Sequence, residues 1–326
     1  MYYPYQKGQY DVAPGFFPLS KSFGNGEWDQ RLFQIGPDFP LYRAQFERNR
    51  SLEPASKYVC LAKSTDHAAV GSIVKFLATK LAEEYPLQIK LKEIGADEFS
   101  LENDFTGEVI IFFISRNTVK VVRGGFNYES GWDAIGAQLP EDMAIWKMNP
   151  DGSEEMEALH LSAPNYWAAE DKVGRSFAVV HAPVAHMEKI TPWAVQLLDG
   201  ILKKGPYVRF AWGVGTDNRL NHHPEPAPNV DSSEWHGRSF DPNQPKLYAR
   251  VERQVLWGFP ELGRAIFTIR TYFQDVAELK KTNPEAVKGL IQAIESMSPQ
   301  SLVYKGLKDH KENVLRWLAA DEELCS

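Results

Sequence analysis

The stretch "LYARVERQVLWGFPELGRAIFTIRTYF", residues 247–273, constrains the fold more than any other part of the chain. Two runs of near-strict alternation flank Gly258 to Gly263, which is the pattern of a β-hairpin. With a side-chain period of two, one face of the first strand carries Tyr248, Arg250, Glu252, Gln254 and Leu256. The other carries Leu247, Ala249, Val251, Arg253, Val255 and Trp257, so Arg253 sits in an apolar row. An unpartnered buried guanidinium is prohibitive, so Arg253 requires an anion, either a protein carboxylate or an acidic ligand group. Arg250, Glu252 and Gln254 form a polar stripe that Arg264, Thr268, Arg270 and Tyr272 extend across the hairpin. Such a stripe is ordinarily solvated, and gains interest only if something covers it. Arg209 in "YVRFAW" offers a third strand's arginine to the same neighbourhood.

The remaining elements complete an α+β class. Spacing predicts a helix through Val70, Ile73, Val74, Leu77 and Leu81, capped by Ser64, Thr65 or Asp66 and ended by Pro86. "EVIIFFI" (108–114) reads as a buried strand, and residues 143–164 as a hairpin around Asn149 to Gly152. Residues 187–205 read as a helix whose shared face includes Ile190, Trp193, Leu197 and Ile201. A long Pro- and Asn-rich loop, 213–245, lies between strands, and a loop of that size is usually functional. Two polar helices, near Pro284 to Met297 and His310 to Ala320, flank the turn-prone "SPQSLVYKG". The first 25 residues form an aromatic arm, residues 26–280 the main domain, and 281–326 a helical extension. No βαβ alternation is present, and "GVGTDN" lacks the helix that phosphate binding needs.

Composition narrows the partners. A net charge of −7 and a pI near 5.7 argue against nucleic acid or an anionic membrane. With Cys60 and Cys325 alone, no zinc ribbon or disulfide framework can be drawn, and a reducing cytoplasm is the expected compartment. The start has no secretory pattern, and no later run approaches membrane-spanning length.

"FAVVHAPVAHM" (177–187) poses the chemical question. The apolar run before His181 reads as a strand, with His181 at its rigid end because the prolyl bond after Ala182 disfavours helix there. A neutral imidazole so placed suits a metal or haem iron, whereas the commoner role is that of a satisfied, half-buried histidine. His186 is the alternative five residues on, and His222 and His223 read as solvent-exposed loop residues. No H-x-x-x-H, H-E-x-x-H, G-x-S-x-G or P-loop pattern occurs.

The ordered segments "PNYWAAEDKVGRSFAVVHAPV", "GPYVRFAWGV" and "LYARVERQVLWGFPELGRAIFTIRTYF" resemble the haem-dependent oxidative N-demethylase family, with weaker agreement from about Gly26 to Gln274. "RVERQ" and "IRTY" are the specific part, and "SAPNYW" departs where members usually carry a serine after the proline. The resemblance implies a PAS-like antiparallel sheet flanked by helices and holding haem b. It implies oxidation of a small secondary amine such as dimethylamine by dioxygen, releasing formaldehyde, with electrons from a separate flavin and iron-sulfur reductase. Carried onto this chain, it makes His181 the first candidate iron ligand, with His186 as fallback. Arg209, Trp212, Arg250, Arg253 and Arg270 become cofactor contacts, and Glu252, Gln254 and Tyr166 catalytic candidates, with Trp167 as a further pocket wall. Two other classes stay open: a haem-binding PAS-type sensor or carrier without turnover, and a binding protein whose arginines hold an acidic small molecule.

Overall fold

The computed structural model describes residues 1–13, 15–231 and 239–320. Two antiparallel sheets carry the chain. The larger runs in the order β1 (Phe17–Pro18), β9 (Tyr207–Gly215), β10 (Tyr248–Phe259), β11 (Arg264–Asp275), β7 (Asp142–Met148), β8 (Glu154–His160) and β2 (Val59–Leu61). The smaller is a meander of β3 (Ile89–Gly95), β4 (Glu98–Asn103), β5 (Glu108–Phe113) and β6 (Thr118–Arg123). Ten α-helices lie among the described residues, which with antiparallel sheets gives the expected α+β class. They are α1 (Phe39–Leu52), α2 (His67–Glu84), α3 (Gly131–Gly136), α4 (Ala169–Lys172), α5 (Phe177–His181), α6 (Ala194–Lys204), α7 (Val276–Thr282), α8 (Pro284–Glu295), α9 (Pro299–Tyr304) and α10 (Lys311–Ala319). None is long and apolar enough to cross a membrane.

Helix α2 forms where the 3 and 4 spacing places it. Asp66 is the cap, its Oδ1 accepting from the amides of Ala68 and Ala69 at 3.1 and 3.2 Å. Val70, Ile73, Val74, Leu77 and Leu81 are buried, and Gly71 lets the helix approach Ile114, whose carbonyl oxygen would lie 1.8 Å from an added Cβ. The β10–β11 hairpin is as read, closed through a 3-10 turn at Pro260–Leu262 and Gly263 at φ 61°. Helix α6 begins only at Ala194, because residues 187–193 form two short 3-10 turns instead of continuing it. "SPQSLVYKG" is a turn only in part, since Ser298 caps a short helix, α9.

The hairpin register corrects one expectation. Arg250 pairs with Phe273, Glu252 with Thr271 and Gln254 with Ile269, so Arg264, Thr268, Arg270 and Tyr272 lie on the opposite face from the polar stripe. That opposite face is covered by the 3-10 turn Gly26–Gln30, the segment after it, and α1, whose Tyr42 hydroxyl donates to the Thr271 carbonyl at 2.6 Å. Arg264 is held there by both oxygens of Glu157, at 2.6 and 2.9 Å.

The aromatic arm packs as its composition implies. Tyr2 and Tyr5 are buried in a second core with Val251, Leu290 and Ile294, which ties the beginning of the chain to α8. Tyr5 also donates to Gln274.

Glu141, just before β7, is fully buried, with Oε1 accepting from the Gln34 amide at 2.7 Å. Burial pushes its carboxyl up from 4.5 to about 7, against the opposing pull of Arg270 and Arg253. The unfolded carboxyl ionises first as pH rises, so the folded state loses stability between those two values and not above them, by on the order of 3 kcal/mol. Glu141→Gln keeps the acceptor and removes that loss. Its Tm relative to wild type is expected to climb from about pH 5 to about pH 7.5. A difference that stays flat across that window in thermal melts would contradict the assignment.

Candidate functional site

The polar stripe is not solvated. Above it lies a cavity of about 1060 Å³, at the upper end of ligand pockets and large enough for a cofactor together with a small substrate. Its floor is one face of the large sheet, with Arg209 from β9, Arg250, Glu252, Gln254 and Leu256 from β10, Phe267 and Ile269 from β11, and Asp142 and Trp146 from β7. The strands therefore run from a polar end at Arg250 and Glu252 to an apolar end at Leu256, Phe267 and Trp146. Helices α5 and α6 roof the cavity, and the arm, Tyr304 and Lys305 border it as well.

His181 lines the apolar end, its ring 6.2 Å from Trp146 and 4.0 Å from Phe177 between centroids. The run before it is a helix, not the strand expected. A helix this short needs help at its ends. The Phe177 amide donates to the Glu154 carboxylate, 2.9 and 2.8 Å from its two oxygens, and Lys172 Nζ donates to the Val180 carbonyl at 3.2 Å. The turn brings His181 Nδ1 to 2.9 Å from the Phe177 carbonyl. A carbonyl only accepts, so Nδ1 carries the proton and Nε2 keeps its lone pair. Burial lowers the imidazole to about 4, which keeps the ring neutral at physiological pH.

The polar end holds more cation than anion. Among the described residues Arg209 makes no side-chain hydrogen bond, and its buried Nε is unsatisfied. Burial lowers its pKa, with Glu252 opposing. Arg250 pairs with Glu252 and donates to the Ala163 carbonyl at 2.8 Å and Thr271 Oγ1 at 3.0 Å. Gln254 Nε2 donates to the second Glu252 oxygen at 2.9 Å. Burial alone would raise Glu252, but Arg250 and Lys305 more than offset it and the pKa falls. Lys305, from the loop after α9, is lowered to about 8 by burial, with Glu252 opposing. Three cations thus surround Glu252, which is paired with one of them, Arg250.

The other sequence candidates are placed elsewhere. Arg253 and Arg270 lie on the opposite face; among the described residues Arg253 bonds only main-chain carbonyls, not the anion expected for it, and its buried Nε has no partner. Arg253 Nη2 donates to the carbonyls of Asp29 and Arg31 at 2.9 and 2.7 Å. Arg270 holds both oxygens of Asp38 at 2.6 and 2.7 Å and the Gln34 carbonyl at 2.9 Å. Trp212 borders the cavity from the alternate row of β9 and packs edge-on against Tyr5 and Tyr10. Tyr166 stands at the rim, 57% exposed, with its amide donating to the His222 carbonyl at 2.8 Å and its ring 5.5 Å from that imidazole. Trp167 also borders the cavity. His186 is not among the cavity-lining residues and meets Ser298 Oγ through Nε2 at 2.7 Å. His222 and His223 are buried, contrary to the expectation of exposure, and His222 Nε2 lies 2.9 Å from Asp217.

Sequence reasoning missed Lys305, Asp142 and Glu154. Lys305 sat in a segment read as a turn, and Asp142 was one of two adjacent acids in "LPEDMAIW" with no spacing to mark it.

Residues 27–315 match the family described as haem-dependent oxidative N-demethylase, alpha subunit-like. The chain belongs to this family. The match spans the smaller sheet, the larger sheet except β1, and every element that borders the cavity except the arm.

The two sets of arginines are distinguishable by experiment. Arg270→Met removes the partner of Asp38 and of a buried carbonyl and is expected to cost about 2 to 3 kcal/mol in chemical denaturation. Arg209→Met removes a guanidinium that bonds nothing in the fold, and its stability is expected to match or exceed wild type. Equal losses from the two substitutions would erase the distinction between the faces.

Proposed function

We propose that the protein is the haem-binding subunit of an oxidative N-demethylase, acting on a small secondary amine with dioxygen and drawing electrons from a separate reductase. One observation carries the reading. A neutral histidine, with Nδ1 pinned to a carbonyl and Nε2 free, lines the apolar end of a large cavity whose other end is rich in unneutralised cations.

The residues present suit haem b. An iron ligand needs an unprotonated ring nitrogen and a fixed ring, and the Phe177 carbonyl supplies the outer contact that sets both. Trp146, Phe177, Leu256 and Phe267 offer apolar surface to a macrocycle. Arg209, Arg250 and Lys305 are donors for two propionates, and Arg209, with no hydrogen bond of its own, is the first of them.

Bound haem supplies the iron at which dioxygen is activated for oxidation of an N-methyl carbon. His181 would hold the iron through Nε2. Helices α5 and α6 cover the cavity, and burial beneath them strengthens the charge interactions within. Gln254 is tied to Glu252 through its amide nitrogen, which leaves its oxygen, unsatisfied within the fold, directed to an acceptor role. Glu252 itself is neutralised by Arg250, so it acts by orienting Gln254 and Arg250 and not as a free anion.

Purified protein supplied with haem is expected to show a Soret band, and His181→Ala to lose at least about tenfold in haem affinity. With a flavin and iron-sulfur reductase, dimethylamine is expected to yield formaldehyde in step with reductant consumed. Absence of a Soret band after reconstitution would sink the proposal; a Soret band without formaldehyde from any small N-methylamine would leave a haem carrier in its place.

A further inference from the structure

The polar end of the cavity holds two carboxylates in unlike circumstances. Glu252 is bonded through both oxygens, to Arg250 and Gln254. Asp142 has no cation bonded to it. Its Oδ1 accepts from the main-chain amides of Ser162 and Ala163 at 2.6 and 2.7 Å, and Oδ2 has no hydrogen-bond partner among the described residues. The side chain is 2% exposed, yet it borders the cavity.

The sheet register gives its position. Arg209 pairs with Gln254, Gln254 with Ile269 and Ile269 with Asp142, a single cross-strand row on the cavity floor. Arg250, the cation that most influences Asp142, is directed to Glu252, the Ala163 carbonyl and Thr271. A buried carboxylate with two amide donors and no cation is half satisfied, and burial accordingly raises it to about 7. A cation carrying N–H groups would complete it.

Charge counting agrees, and here the inference rests on the haem reading above. Arg209, Arg250 and Lys305 against Glu252 leave two positive charges, which two propionates cancel. Asp142 is then the one carboxylate on the floor without a counter-charge. Beside it Ile269 and Phe267 offer apolar surface for methyl groups.

We propose that Asp142 receives the ammonium group of the substrate, which makes this a site for small alkylammonium ions that carry at least one N–H. Glu252, the acidic candidate from sequence, is left to its arginine. The recognition is a charge-assisted hydrogen bond from N–H to Oδ2, with Oδ1 keeping its two amides.

Asp142→Asn tests this, because asparagine retains an oxygen for the Ser162 and Ala163 amides while losing the charge. In the haem-loaded protein, calorimetric affinity for dimethylammonium is expected to fall by at least about tenfold, with the Soret band unchanged and Tm no lower than wild type. Unchanged affinity in a folded, haem-loaded variant overturns the inference alone. Wild-type protein that takes up no haem overturns the functional reading and this inference with it. A second measurement does not depend on the variant. Wild type is expected to bind dimethylammonium at least about tenfold more tightly than dimethyl ether, which has its shape without charge or N–H. Equal binding of the two also overturns the proposal.

Discussion

A sheet covered on both faces has no water to offer its charged side chains. Strand β10 alternates Arg250 and Glu252 on one face with Arg253 on the other, so each face has to supply partners from protein. The opposite face does so completely for Arg270, using Asp38 and the Gln34 carbonyl, and that bond set is what fastens residues 29–38 to the sheet. The cavity face does so incompletely. Among the described residues Arg209 makes no side-chain hydrogen bond and Asp142 has one oxygen unused, and both border the cavity. One strand thus builds structure with one set of its charges and a site with the other.

The site depends equally on a five-residue helix. Without Glu154 at its first amide and Lys172 at a late carbonyl, α5 has almost no intrinsic reason to persist, and His181 would have no Phe177 carbonyl opposite Nδ1. The imidazole's tautomer is therefore a product of contacts from β8 and α4. Membership of the haem-dependent demethylase family gives that arrangement a meaning that the contacts alone do not carry.

Alternation was legible, and with it the hairpin, the polar stripe and the isolation of Arg253. The facing of Arg264 and Arg270 was not, because alternation assigns residues within a strand while pairing register is set by the turn. "FAVV" looks like a strand because its residues favour one, and the carboxylate that turns it into a helix lies 23 residues upstream at Glu154. Most of the meander β3–β6 was invisible for a different reason: β3 and β6 carry exposed charge and lack a long apolar run, leaving only the buried β5 to be seen. Asp142 and Lys305 leave no trace in local pattern, since what distinguishes them is burial beside the cavity, which only the fold creates. His222 looked exposed beside two prolines, yet its bonding to Asp217 and stacking with Tyr166 bury it.

The cavity's borders come from distant points in the chain. Tyr2 to Phe17 stand on one side, while Tyr304 and Lys305 close another, and the arm reaches the C-terminal helices through a shared core. During synthesis the first wall therefore waits for the last. A ribosome-bound chain lacking α9 has an open trough where the finished protein has a chamber, so the cationic end of the cavity is complete only after translation has passed Lys305.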